Sequence, residues 1–162
     1  MIDPRANNDE KIVPPSPLPY VSRRALMRIP EPLQPPTKCT MCGCKVELVN
    51  HKVVYGREYS DWPYMYRCTN AKNCDTYVGV HPNTDIPLGT LADKDTREAR
   101  KNNKNLFIEL QRRNKWSRKE AYHWLSRQLN IPEEQCHWAM FNVEEAKKAG
   151  QLCANELYCM YT

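Results

Sequence analysis

Glycine is scarce in this sequence, with five residues in 162. The phosphate-cradling loops of nucleotide-hydrolysing and dinucleotide-binding proteins need several glycines at fixed offsets, and no such run exists here. Long apolar runs are missing as well: none approaches the roughly 20 residues that span a bilayer. The start, Met1-Ile-Asp-Pro-Arg-Ala, has no basic stretch leading into an apolar one, so no secretory leader is expected. Phenylalanine occurs twice, against nine tyrosines and four tryptophans. Rings with a polar handle suit surfaces as well as cores. With 41% hydrophobic residues and a mean hydropathy of −0.77, the core must be modest.

Cysteine, by contrast, is abundant. Eight cysteines without an export signal point to a reducing cytoplasm, where thiols bind metal rather than pair. Cys39-Thr-Met-Cys42-Gly43-Cys44 is followed, after an aromatic-rich excursion, by Cys68-Thr-Asn-Ala-Lys-Asn-Cys74. Taking Cys39, Cys42, Cys68 and Cys74 as ligands gives C-x2-C-x25-C-x5-C. A tight turn between two thiolates presents both sulfurs to one ion, about 2.3 Å from each, and two such pairs make a tetrahedral site for a single structural Zn2+. Gly43 supplies the positive φ that the first turn needs. Two alternatives stand beside this: a disulfide pair, and a C-x-C arrangement that uses Cys42 and Cys44.

Charge is uneven. The net charge is +5, yet residues 94–119 alone hold ten Lys/Arg against three acids, so the remainder of the chain sums to −2. A concentrated basic stretch is better evidence for an anionic partner than the total is. Proline is uneven too: nine of thirteen lie in residues 1–38. That density blocks helix and ladder hydrogen bonds and favours extended polyproline II. Within this arm, residues 20–29 allow one turn of helix with Leu26 and Ile29 inward. The arm is expected to be disordered, to dock on a partner, or to wrap its own domain.

The fold class expected is α+β: the proline-rich arm (1–38), a four-cysteine zinc ribbon with short antiparallel strands (39–89), and about four helices packed on it (90–162). Val46–Val49, His51–Tyr55, Asp61–Arg67 and Thr76–Val80 are β-prone. Trp62, Tyr64 and Tyr66 alternate along one of these runs and share a face. So small a unit needs the metal for much of its folding energy. Helices are expected over 90–113, capped by Thr90 with Asp93, over 117–129, capped by Ser117 with Glu120, after Pro132, and from Asn142 with Glu145 to Gly150. A terminal helix over 151–162 completes the set. On the first, Lys94, Arg97, Lys101, Lys104 and Arg112 oppose an apolar side.

The C-x2-C-G opening and the C-x5-C close resemble the zinc ribbons at the C-terminus of bacterial type I topoisomerases, which hold single-stranded DNA on exposed aromatics. A longer resemblance runs through Tyr77-Val-Gly-Val-His-Pro82, Pro87-Leu-Gly-Thr-Leu-Ala-Asp93, Thr96-Arg97-x-x-Arg100, Ser117-Arg-x-x-Ala-Tyr-x-Trp-Leu125 and Cys136-His137-x-x-Met-Phe141. It is similar to the zinc-finger-containing domain family of small bacterial and phage proteins, whose function is unknown, over roughly residues 39–149. That family usually has a His and an Asp flanking the Phe that matches Phe107, where this chain has Lys104 and Ile108. The resemblance implies the metal and the fold, and no activity.

No catalytic residues are expected. Cys136 and His137 are adjacent, and neighbours on a helix point about 100° apart. His81 with Asp85, Asp93 or Asp95 could be imagined as a nuclease-type metal site, though capping explains Asp93 equally well. The leading expectation is a non-catalytic nucleic-acid-binding protein that prefers single strands. Tyr55, Tyr59, Trp62, Tyr64 and Tyr66 would stack on bases, Lys52, Arg57 and Arg67 would flank them, and Arg97, Arg100, Lys101 and Lys104 would meet phosphates. The rival is a phage-type protein-interaction factor that grips a host polymerase or defence enzyme through the ribbon and the arm. Neither needs a membrane or a small-molecule substrate.

Overall fold

Three short antiparallel strands, β1 (Val46–Asn50), β2 (Tyr64–Cys68) and β3 (Tyr77–Gly79), form a sheet in the order β1-β2-β3. The structure is a computed structural model describing residues 1–161, and it is α+β. The chain divides into two units, Met1–Asp93 and Lys94–Thr162, each with its own apolar cluster. Among the described residues no helix is long and apolar enough to cross a membrane.

In the first unit the register pairs Val46 with Cys68, and Leu48 with Tyr66, which in turn pairs with Val78. Period-2 alternation puts these residues on one face, and they lie in or against the core. The cover for that face comes from the proline-rich arm. Ala6, Leu18, Val21, Leu26 and Ile29 join Trp62, Tyr66 and Val78 in one cluster. The short helix α1 (Arg23–Leu26) starts where the Ser22 hydroxyl accepts from the Ala25 amide, and Leu26 at its end is fully buried. Tyr20 places its ring 5.0 Å from Trp62, the Ser22 amide donates to the Asn83 carbonyl at 2.9 Å, and the Tyr20 hydroxyl bonds Asn83 Oδ1 at 2.9 Å. Arg5 clasps Asp85 with two nitrogens, at 2.7 and 3.0 Å. The arm is therefore a strap that wraps its own sheet.

The opposite face carries Glu47, Arg67 and Tyr77 as direct cross-strand neighbours, with Val49, Met65 and Gly79 in the next row. Beside it lies α2 (His51–Tyr55), where a strand was expected. Val53 and Val54 favour strand, but the ends decide. Asn50 accepts from the Lys52 amide at the start, and Gly56 takes φ 77° at the close and bonds back to Lys52.

The second unit holds α3 (Lys94–Asn114), α4 (Arg118–Leu129) and α5 (Val143–Cys159), with two single turns of 3₁₀ helix between the last two. Helix α3 begins four residues later than its expected start at Thr90. Ala92 instead bridges Tyr77 of the first unit's sheet, with both backbone hydrogen bonds made. Two of the three expected capping boxes form, at Ser117/Glu120 and Asn142/Glu145, while Thr90 and Asp93 both precede the start of α3. Phe107, Leu110, Ala121, Leu125, Trp138, Phe141 and Ala146 make the core.

Gly150 does not end a helix. Helix α5 runs through it to Cys159, so the two expected C-terminal helices are one. The reason for glycine there is the approach of α3: a Cβ on Gly150 would lie 1.9 Å from Asn103 Oδ1 and 2.7 Å from Asn103 Cβ. Alanine would gain about 1 kcal/mol of helix propensity. The overlap with Asn103 outweighs this, since such overpacking costs roughly 1–3 kcal/mol and the near atom sits next to the α3 backbone. Gly150→Ala is expected to lower the urea midpoint of helix ellipticity. An unchanged or raised midpoint would mean that the two helices are free to separate there.

Candidate metal centre

Two turns bring the metal ligands together. The first, Cys39 to Cys44, closes when the Gly43 amide donates to the Cys39 carbonyl at 2.9 Å and the Cys39 amide donates to the Cys44 carbonyl at 2.8 Å. Gly43 takes φ 78°, a conformation that strains any residue with a Cβ. The second follows Cys68, the last residue of β2, where the Cys74 amide donates to the Asn70 carbonyl at 2.7 Å. The Thr69 amide and hydroxyl both reach the Lys45 carbonyl, at 2.9 and 2.8 Å, and tie the turns to each other.

The Sγ atoms of Cys39, Cys42, Cys68 and Cys74 all lie within 4.8 Å of one another. Cys39 and Cys74 are 3.6 Å apart, and Cys42 and Cys68 3.4 Å. Four sulfurs about 2.3 Å from a central ion stand roughly 3.8 Å apart in a tetrahedron, so the cage has the size zinc requires. A disulfide needs about 2.05 Å, and none joins the described cysteines. Cys44 is outside the cluster, and the C-x-C alternative does not form. The donor set is four thiolates with no open position, which is that of one structural zinc ion rather than a catalytic one.

The surroundings prepare these sulfurs for a cation. The Met41 amide donates to Cys39 Sγ and the Asn70 amide to Cys68 Sγ, both at 3.4 Å. The buried Thr76 hydroxyl lies 3.1 Å from Cys39 Sγ and 3.5 Å from Cys74 Sγ. Burial raises the Cys39 thiol, but the Thr76 hydroxyl and the amides of Cys42 and Met41 bring it down to about 6. The Cys44 amide, with Cys68, also lowers Cys42. Cys74 gains from the same Thr76 hydroxyl, yet burial and the neighbouring sulfurs push it up to about 12. Four adjacent thiolates repel one another, and a divalent cation is what allows all of them to ionise.

Thr76 was not among the expected site residues. The signal was its position two residues after Cys74, where a hydroxyl can turn back to the thiolate. Outer partners of this kind typically contribute 10–100-fold in metal affinity. Thr76→Val keeps the shape and removes the hydroxyl, so it should weaken zinc binding by about that factor, measured by competition with a chromophoric chelator. An unchanged affinity would make Thr76 a packing residue only.

The expected nucleic-acid residues separate by environment. Trp62 and Tyr66 are core: Trp62 Nε1 donates to the Thr84 carbonyl at 3.0 Å, and the Tyr66 hydroxyl donates to the Asp85 carbonyl. The strap shares one apolar cluster with both rings. Tyr64 is half-buried, 5.0 Å from Trp62. Tyr55 and Tyr59, in contrast, are 42% and 58% exposed. They meet edge to face at 5.1 Å beside His51 and Tyr77, Arg57 sits 4.3 Å over the Tyr59 ring, and Lys52 is exposed on the same helix. Tyr77, which the expected set omitted, joins this cluster because register places it opposite Arg67. On α3, Lys101 and Lys104 are exposed, while Arg97 is half-buried. Arg100 donates from Nε to the Phe141 carbonyl at 2.7 Å and braces the helical core.

Of the residues imagined for a nuclease site, Asp85 is held by Arg5, and among the described residues the four cysteines are the group of three or more metal-ligating side chains close enough to share an ion. The likeness to topoisomerase ribbons rests on cysteine spacing. No curated protein and no solved structure matches this chain significantly. A family model described as a zinc-finger-containing domain matches residues 35–156, which takes in both cysteine turns, the sheet and all but the end of the helical unit. The chain belongs to that family of zinc-finger-containing domains.

Proposed function

We propose that the protein binds single-stranded nucleic acid without catalysis, on the aromatic patch of the zinc ribbon. The observation that carries this reading is the pair of exposed rings, Tyr55 and Tyr59, with Arg57 stacked over one of them and Lys52 alongside. Exposed tyrosines accept the faces of unpaired bases, and neighbouring cations follow the phosphates. The zinc ion holds β2, and through it the patch, in place. The exposed lysines of α3, Lys101 and Lys104, offer a second set of phosphate contacts. The rival reading, a factor that grips a larger protein machine through the ribbon and the arm, has less support on the side of the arm, because Leu18, Val21, Leu26 and Ile29 are committed to the protein's own core.

Fluorescence anisotropy of the zinc-loaded protein against labelled single- and double-stranded DNA and RNA, over a salt series, tests this. Single strands should bind more tightly than duplexes, and affinity should fall linearly on a log–log plot against salt, the slope counting neutralised phosphates. Tyr55→Ala with Tyr59→Ala removes two stacking partners worth roughly 1–3 kcal/mol each, so it should cost at least tenfold. Lys101→Glu with Lys104→Glu should flatten the salt slope. Binding that ignores strandedness and both double variants would overturn the proposal.

A further inference from the structure

We propose that the groove between α2 and the second cysteine turn reads one unpaired guanine base; this rests on the single-strand reading above and extends it from stacking to base identity. The groove has a volume of about 200 Å³. Val53 and Val54 of α2 form one wall, Arg67 and Tyr77 of the sheet the floor, and Ala71 and Asp75 the wall of the turn. It opens beside the aromatic patch: Tyr77 meets Tyr55 edge to face at 5.7 Å, and Tyr55 is exposed.

Arg67 asks for a ligand. It occupies the middle strand between Glu47 and Tyr77, with only 19% of its side chain exposed. A guanidinium carries five donors in a planar fork. Here one of them reaches the Val53 carbonyl, at a long 3.4 Å. Its Nε is buried without a hydrogen-bond partner, and the nearest Glu47 oxygen is 3.6 Å away. Buried donors in native structures are paired, and Arg67, which lines the groove, has more donors than the acceptors it meets.

The acceptor is not a phosphate. Cys68 and Cys74 line the same groove, and with zinc bound the four-thiolate cluster behind them is formally dianionic. Asp75 and Glu47 add negative charge around the single cation Arg67. An anion would be repelled, whereas a neutral ring with acceptors on one edge and donors on another is matched. Guanine is that ring. Its O6 and N7 accept bidentately from an arginine, and its N1–H and amino group can donate to the Asp75 carboxylate. Adenine would turn an amino donor toward Arg67, and uracil lacks the paired acceptors. Tyr77 and the two valines supply the apolar surfaces for the ring.

The test is anisotropy of the zinc-loaded protein with labelled oligouridine carrying one central guanosine, adenosine, inosine or 7-deazaguanosine. Guanosine should tighten binding on the order of tenfold to a hundredfold over adenosine. Inosine, without the amino group, should fall between them, and 7-deazaguanosine, without N7, should lose most of the gain. Arg67→Gln and, separately, Asp75→Asn should each erase the preference, read as the ratio of guanosine to adenosine affinity, which a general loss of binding does not move; Asp75 is exposed. Equal binding of all oligomers would overturn the guanine pocket and leave single-strand binding standing. If no oligomer binds, single-strand binding falls. A guanosine titration that follows the Arg67 Nε–H resonance then decides the pocket: a saturable shift absent with adenosine supports it, and no shift overturns it.

Discussion

Chelating the zinc is expected to unfold residues 1–93 and leave α3, α4 and α5 helical. The two units have separate cores, and the metal belongs to one of them. In the first unit the sheet is three strands of five, five and three residues, too little to stand without a staple. Cys39 and Cys68 are themselves core members, so releasing the ion leaves uncoordinated polar sulfurs in the middle of the apolar cluster. Structural zinc in small fingers contributes about 10–16 kcal/mol of apparent binding energy at neutral pH, comparable to or above the whole stability of a domain. The four-cysteine cluster lies wholly in the first unit, so the second unit's capping boxes and buried Phe107, Leu110, Leu125 and Phe141 are untouched. Hydrogen exchange read by mass spectrometry gives the answer directly. Amides of β1, β2 and β3 should lose protection on chelation, while those of α3 and α5 keep it. Cys68→Ser should reproduce the pattern without chelator. Protected strands in the metal-free protein would reduce the zinc to an ornament on a self-sufficient fold.

The pH dependence follows from the same chemistry. Coordinated thiols must be deprotonated, so zinc binding releases protons and its affinity rises with pH. Cys74, pushed up to about 12 without the ion, gives up a proton at neutrality when zinc arrives, and Cys39, at about 6, already lacks one. Below about pH 6 Cys39 is protonated as well, and the affinity should fall more steeply with each unit of acidification. A zinc affinity that did not change between pH 8 and pH 5.5 would contradict thiolate ligation.

How much of this is legible in the sequence depends on how far apart the cause and the effect lie. The metal cage reads cleanly because its signal is local: two cysteine turns with fixed reach, one relieved by Gly43. The caps of α4 and α5 read equally well, since Ser117 with Glu120 and Asn142 with Glu145 act within one turn. The segment His51–Tyr55 misleads because β-branched Val53 and Val54 favour strand, while the terminal groups of Asn50 and Gly56 close a helix around them. Gly150 reads as a stop signal until Asn103, 47 residues away, is seen against it. The aromatics mislead most. Alternation correctly puts Trp62, Tyr64 and Tyr66 on one face, but alternation does not say what covers a face. The cover comes from residues 6–29, whose proline content reads as disorder.

Removing that strap should be nearly as damaging as removing the metal. A chain that begins at residue 35 keeps the family domain and loses Ala6, Leu18, Val21, Leu26 and Ile29 from the sheet's core. Leu26 alone is completely buried, and truncating such a leucine to alanine costs about 2–5 kcal/mol. The strap also carries Arg5, whose guanidinium answers the buried Asp85 carboxylate; leaving one member of such a pair without the other costs roughly 3–5 kcal/mol. Either loss is a large fraction of the 5–15 kcal/mol that holds a typical domain together. The shortened chain is therefore expected to bind zinc weakly and to expose Trp62, the one tryptophan of residues 1–93. Because three other tryptophans lie in the second unit, the readout is the Trp62 indole N–H resonance in an NMR spectrum of 15N-labelled protein. In the full chain that proton is bonded to the Thr84 carbonyl and should exchange slowly. In the shortened chain it should collapse to a random-coil position and exchange freely, and a peptide of residues 1–34 added in trans should restore it. Leu26→Ala and Arg5→Ala should each move the chain part of the way. If the shortened chain held Trp62 protected and bound zinc as tightly as the full one, the ribbon would carry its own core, and the strap would be free for another partner.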